Sequence, residues 1–83
     1  MYHTYILQSH NGSYYIGSCT DLEKRLSLHN RGLVVSTKRY VPWCLIYQEG
    51  FDNLKDAKKR EFSIKKWKSR YAIEELIKRN KIS

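Results

Sequence analysis

The chain has 83 residues, room for one small domain over residues 1–83, which excludes two-domain and elaborate cofactor-binding architectures. Apolar types make up 41% and aromatics 13%, with seven tyrosines and two tryptophans, so a modest core is expected and intrinsic disorder is excluded. Sixteen Lys and Arg stand against eight Asp and Glu, a net charge of +8 that points toward polyanionic partners.

In chain order, residues 3–8 (HTYILQ) are β-branched and aromatic and predict a first strand. Asn11-Gly12 follows, a pair suited to a type I′ turn because both central positions need φ > 0, so Tyr14-Tyr15-Ile16-Gly17 is the return strand of a hairpin. Thr20-Asp21-Leu22-Glu23 has the T-x-x-E form of a capping box and predicts a helix that starts there, runs through His29 and stops near Gly32. Residues 33–42 form a polar loop with Lys38, Arg39 and the only proline, Pro42. Trp43 to Glu49 (WCLIYQE) predicts a third strand, residues 54–67 a long helix, and the segment after Ser69 a last helix with Ile73, Leu76 and Ile77 on its apolar side. The order ββαβαα implies an α+β layer structure, a small mixed or antiparallel sheet packed by helices.

The positive charge is lopsided. Residues 1–54 carry five basic and four acidic side chains, residues 55–83 eleven basic and four acidic. Such a face concentrates polyanions through long-range attraction and counterion release, which favours nucleic acid; a lysine-rich surface that only keeps the protein soluble is the alternative. No apolar run approaches the length of a membrane span, and Met1-Tyr2-His3 lacks the basic start of a secretory signal, so a soluble cytoplasmic protein without a membrane partner is expected. Cys19 and Cys44 stand singly, without metal-ligand spacing and beside apolar segments, and are expected to be small buried hydrophobes in a reducing compartment.

Three features place polar chemistry where a core belongs. In the first helix Leu22, Arg25, Leu26 and His29 fall within about 100° of arc, so the leucines that must face the sheet carry Arg25 and His29 with them. An inward cation needs a carboxylate, a phosphate or water; Arg25 either snorkels to the rim, pairs with a core acid, or serves a phosphate. In the next helix Glu61 lies mid-stripe between Leu54, Ala57 and Ile64, as half of a buried ion pair with a residue such as Arg25 or as a ligand to a cation. Tyr2, Tyr5, Tyr14 and Tyr15 cluster around the hairpin, as cross-strand packing or as phenols available for proton transfer and phosphate contact.

The string Tyr14-Tyr15-Ile16-Gly17, with Tyr15 ten residues after Tyr5, is followed by Thr20-Asp21-Leu22-Glu23-Lys24-Arg25-Leu26 and His29-Asn30. Together these resemble the GIY-YIG nuclease domain. Ser36-Thr37-Lys38, Pro42-Trp43, Ala57-Lys58-Lys59-Arg60-Glu61 and Ile64-Lys65-Lys66-Trp67 extend the resemblance over nearly the whole chain. It is nearest to small single-domain members related to the nuclease domain of the bacterial excision-repair subunit UvrC. The resemblance implies a three-stranded antiparallel sheet flanked by helices and hydrolysis of a DNA phosphodiester with Mg²⁺ or Mn²⁺. It makes Tyr15 the general base, Tyr5 a group orienting water or phosphate, Arg25 the phosphate contact, His29 a residue tuning the phenols and Glu61 the metal ligand. The nucleic acid would lie on Lys38, Arg39, Lys58, Lys65, Lys66 and Lys68. The chain departs from the family pattern at His3-Thr4 in the first half-motif, at Ser18 where some members have lysine, and at Ile73 where some have asparagine, Asn80 being the only late candidate.

The implied activity is a DNA endonuclease of repair or processing with low intrinsic sequence specificity, a homodimer or partner protein supplying more. A non-catalytic nucleic-acid-binding module on the same fold is the alternative. The proposed roles also demand a register. A strict two-residue turn at Asn11-Gly12 pairs residues whose numbers sum to 23, which puts Tyr5 and Tyr15 on opposite faces. Shared chemistry needs an even sum, and hence a bulge or an odd-length loop.

Overall fold

Residues of both parities in Tyr2–Ser9 (β1) are apolar or small enough to pack, and this segment becomes the central strand of the sheet, in a computed structural model that describes residues 1–79. β2 (Tyr14–Cys19) and β3 (Trp43–Phe51) flank it, both antiparallel to it, in the order β2-β1-β3. Thr4, Tyr5, Ile6 and Leu7 are all buried because helices cover both faces. On one face α1 (Leu22–Asn30) lays Leu22 and Leu26 against Tyr5, Leu7 and Trp43. On the other, α2 (Leu54–Trp67) and α3 (Arg70–Arg79) bring Ile64, Ile73 and Leu76 onto Ile6, Ile16 and Tyr47. The architecture is the expected α+β one, a three-stranded antiparallel sheet in the order ββαβαα. Among the described residues no helix is long and apolar enough to cross a membrane.

The hairpin does not use a two-residue turn. Ser9 and Ser13 close a three-residue loop, with the Ser9 N–H donating to the Ser13 carbonyl at 2.9 Å and the Gly12 N–H to the Ser9 carbonyl at 2.9 Å. Gly12 takes φ +87°, the left-handed conformation that an odd loop of this kind requires after its turn. Pairing therefore runs Thr4 to Ser18, Tyr5 to Gly17 and Leu7 to Tyr15, an even sum.

Helix α1 starts one residue later than the capping box implied. Asp21, rather than Thr20, is the N-cap, its carboxylate accepting the Lys24 N–H at 3.1 Å, and Glu23 stands in the first turn where its charge complements the helix dipole. At the other end the Leu33 and Gly32 N–H groups bond back to the Leu28 and His29 carbonyls, a Schellman closure with Gly32 beyond the last turn. The loop that follows holds a single 3-10 turn over Lys38–Tyr40 and a cis Val41–Pro42 bond.

Strand β3 carries an irregularity invisible in the sequence. Ile6 pairs with Tyr47 but Leu7 with Leu45, so Ile46 is the extra residue of a bulge. The slip switches parity: Tyr47 faces the α2 side, whereas Leu45 and Trp43 face α1. Cys44, alternating with them on an edge strand, is exposed, and Cys19 is only half-buried, so neither cysteine is the buried hydrophobe expected. Asn30 fixes the start of β3 by accepting the Trp43 N–H at 2.6 Å and donating to the Trp43 carbonyl at 3.0 Å. Asn30→Ala strands both backbone groups and should cost about 1–3 kcal/mol in urea unfolding.

Candidate active site

The even register sends odd-numbered β2 residues toward α1 and even-numbered ones toward α2. Tyr15 and Gly17 join Tyr5 on the α1 face, the Tyr5 and Tyr15 rings lying 6.3 Å apart between centroids. Gly17, directly opposite Tyr5, is where the tyrosine ring crosses the strand. A Cβ there would stand 2.6 Å from the Tyr5 hydroxyl and 3.1 Å from the Tyr15 ring, so only glycine admits both phenols.

Tyr5 ends in a chain of polar groups that is buried along most of its length. Arg25 Nε donates to the Tyr5 hydroxyl at 3.4 Å, that hydroxyl lies 3.1 Å from His29 Nε2, and His29 Nδ1 lies 2.8 Å from Thr37 Oγ1. Thr37 Oγ1 donates in turn to the Val34 carbonyl at 3.4 Å. Counting donors assigns the tautomer: with the threonine proton committed to Val34, His29 carries its proton on Nδ1 and accepts from Tyr5 on Nε2. Every proton then points one way, from Arg25 toward the Val34 carbonyl. His29 is fully buried, and burial, with the nearby Arg25 charge, pushes its pKa down to about 4, which keeps Nε2 an acceptor. Burial likewise pushes the Tyr5 phenol up to about 12 against the pull of Arg25, so Tyr5 holds its proton. Arg25 itself is kept charged by its hydrogen bond to Tyr5, against the cost of burial, and by the nearby phenols of Tyr5 and Tyr15. Tyr15 is half-buried, its ring 4.9 Å from His29 and 6.3 Å from Trp43.

Glu61 sits on the other side of the sheet. It is only 8% exposed, and its partners are Ser18, whose Oγ donates to Oε1 at 2.7 Å, and Lys65, whose ammonium donates to Oε2 at 2.5 Å. Lys58 Nζ donates to Ser18 Oγ at 3.3 Å. Burial works to raise the Glu61 carboxyl, but the Lys65 and Ser18 hydrogen bonds and the Lys65 and Lys58 charges outweigh it, and the group lies below its ordinary value. The expected pairing with Arg25 does not form, because Arg25 belongs to the α1 face and Glu61 to the α2 face. Among the described residues no three His, Cys, Asp or Glu side chains gather. On the α2 side of the sheet Glu61 is a single ionised carboxylate, which suits the mode in which Mg²⁺ keeps most of its waters and takes its remaining ligand from substrate phosphate. Glu61 fits that mode once the half-exposed Lys65 swings off Oε2.

The two halves meet at the edge of β2. One open groove of about 450 Å³ is lined by Ser18, Cys19, Asp21, Arg25, Leu54 and Lys58; Glu61 and the phenols stand behind it, Glu61 bonded to the lining Ser18 and Tyr5 to the lining Arg25. Leu54, expected on the buried stripe, is 43% exposed because it opens α2 beyond the sheet, beside this groove. Of the cations expected to hold nucleic acid, Lys58 and Lys65 stand at Glu61, Lys66 and Lys68 are exposed farther along the same helix and at its C-cap, and Lys38 and Arg39 lie exposed on the 3-10 turn after Thr37. Ile73, at the family's asparagine position, is buried in the core, and Asn80 lies outside the described residues. Ser18, Gly17 and Thr37 had no role in the sequence-based expectation. A strand glycine signals close approach and a glutamate four residues before a lysine signals a pair, so Gly17 and Lys65 were within reach; Ser36-Thr37-Lys38 belonged to the resemblance, but nothing in it assigned Thr37 to His29.

The buried His29 sets a pH dependence. The unfolded chain takes up a proton near pH 6.5 that the folded chain refuses until about 4, so stability should fall as pH drops through this window. Thermal unfolding of His29→Gln between pH 6.5 and 5 should show a shallower slope than the native protein. Gly17→Ala must displace the Tyr5 ring and should lower stability by about 1–3 kcal/mol in urea unfolding.

Comparison with known proteins points the same way as this geometry. The GIY-YIG catalytic domain pattern matches residues 1–76. The chain is 39% identical over 77 residues to a UPF0213 protein of Streptococcus pneumoniae serotype 4, covering 92% of this chain and 77% of that one. It is 36% identical over 66 residues to a UPF0213 protein of Halobacterium salinarum, covering 78% and 86%. It is also similar to the solution NMR structure of the UPF0213 protein BH0048 from Bacillus halodurans, with a TM-score of 0.61 and 29% identity over 96% of this chain and 86% of that one. With the half-motif tyrosines, Gly17, Arg25 and Glu61 all inside the matched span, the chain belongs to the GIY-YIG family.

Proposed function

We propose that the protein is a divalent-metal-dependent DNA endonuclease of repair or processing, with low intrinsic sequence specificity. The observation that carries this reading is one groove lined both by Arg25, which bonds the Tyr5 phenol, and by Ser18, which bonds the ionised and nearly buried Glu61. A structural basic protein has no use for an acid buried within its cationic face.

The division of labour follows from burial. Tyr5 is 1% exposed and firmly protonated, so it positions rather than transfers: its O–H donates a hydrogen bond to His29 and its oxygen lone pairs accept from Arg25. Arg25, lining the groove, contacts a non-bridging oxygen of the scissile phosphate and stabilises the charge that builds there. Tyr15, the more accessible phenol and a neighbour of Arg25, releases its own proton to solvent and, as the phenolate beside the Arg25 cation, then takes the proton of the attacking water. Glu61 would hold the Mg²⁺ or Mn²⁺ ion in place of the Lys65 ammonium, with Ser18, which donates to Oε1, orienting the carboxylate. When bound, such an ion neutralises the phosphate and stabilises the departing 3′ oxygen. Lys38, Arg39, Lys58, Lys65, Lys66 and Lys68 hold the DNA backbone, and a second copy or a partner protein adds specificity.

One observation favours the rival reading of a non-catalytic nucleic-acid-binding module: Lys65 already neutralises Glu61. Cleavage of supercoiled, linear, single-stranded and branched DNA with Mg²⁺, Mn²⁺ or EDTA separates the two. Metal-dependent cutting that falls by about 10²-fold or more in Tyr15→Phe, Arg25→Ala and Glu61→Gln, with DNA affinity kept within a few fold, is the expected result. Tight, salt-sensitive binding without cutting under any condition would establish the binding module instead. Lys65→Met should lower the Mg²⁺ concentration needed for half-maximal cutting, because it removes the cation competing for Oε2.

A further inference from the structure

The outer side of α2 carries Lys55, Lys58, Lys59, Lys65 and Lys66 beside Asp56 and Ser63, and Phe62 stands among them. Ala57 and Ile64 of the same helix are fully buried against the sheet, whereas Phe62 is 57% exposed. Lys58 lies one turn before it, and Lys65 and Lys66 lie one turn after it. The Lys65 ammonium is 6.0 Å from the Phe62 ring centroid and is the same group that binds Glu61. Lys58, one turn earlier on the helix, reaches Ser18. The aromatic ring thus stands beside the cation that binds Glu61, one turn after a second cation that reaches the partner of Glu61, Ser18.

An exposed phenylalanine gains little from burial in its own fold, and a flat ring among lysines matches one kind of occupant well. A nucleobase stacks on the ring while the phosphates on either side of it meet the ammonium groups. A base inside a duplex already has both faces covered by its neighbours, so the occupant must be unpaired. The charge of the surrounding helix argues for a polyanionic strand over an apolar protein surface.

We propose that Phe62 is a stacking platform for an unpaired base of a DNA strand next to the scissile phosphate, so that the substrate is single-stranded at the cut. This rests on the nuclease reading of the neighbouring groove, and binding is therefore measured apart from cutting. Fluorescence anisotropy in EDTA compares a labelled single strand, a blunt duplex of the same length and an equally long strand of abasic sites. Phe62→Ala should weaken single-strand binding about tenfold, leave duplex and abasic strand within about twofold, and Phe62→Trp should restore the affinity. Equal losses on all three probes, or no loss on any, would overturn the platform. So would sedimentation velocity in which Phe62→Ala turns a dimer into a monomer, since the ring would then be covered by a second copy. Ring-dependent single-strand binding in a protein that never cuts would leave the platform standing and sink the nuclease reading alone.

Discussion

Because Tyr5 pairs with Gly17 rather than with Ser18, every side chain of β2 is assigned to the face on which its chemistry is used. The assignment originates in the three-residue loop and the left-handed Gly12, which together make the pairing sum even. A shift of one position would turn Tyr15 toward α2 and Ser18 toward Arg25, dismantling both halves of the site at once. Gly17 then removes the steric obstacle that a Cβ would present to the two phenols the register brings together.

The site that results has two unlike halves. On the α1 side a line of hydrogen bonds runs from a guanidinium through a phenol, a neutral imidazole and a hydroxyl to a backbone carbonyl. Such a line is stable in a buried setting because the phenol, imidazole and threonine protons are each donated, and it orients Tyr5 without giving it charge. On the α2 side the interactions are ionic, with a carboxylate kept charged by Lys65, Ser18 and Lys58 despite its burial. β2 separates them, and because it is an edge strand its outer side is open. A strand of nucleic acid laid along that edge would meet a cation from one layer and a carboxylate from the other.

Much of this could be read along the chain. The spans of α2 and of the hairpin strands followed from periodicity, and the inward placement of Arg25, His29 and Glu61 followed from helical arc, since each shares a face with residues that must be buried. The need for an even register followed from asking that two phenols share a face. The cap of α1 was misplaced by one residue because Thr20 and Asp21 are both good caps and only the course of the chain chooses between them. Glu61 does form an ion pair, but with Lys65 and not with Arg25, the example the helical arc suggested, because arc tells which way a side chain points but not which layer its helix occupies.

The sequence by itself determined the kinds of element, their order, the inward polar residues and the basic face, all of which depend on local periodicity and composition. The tertiary structure alone decided that α1 and α2 lie on opposite faces, that the bulge at Ile46 turns Trp43 toward Tyr15, that Thr37 reaches His29, and that Ser18 reaches Glu61. These are contacts between residues up to forty-three positions apart, Ser18 to Glu61 being the longest of them. No local preference encodes such contacts, because each depends on how whole layers pack.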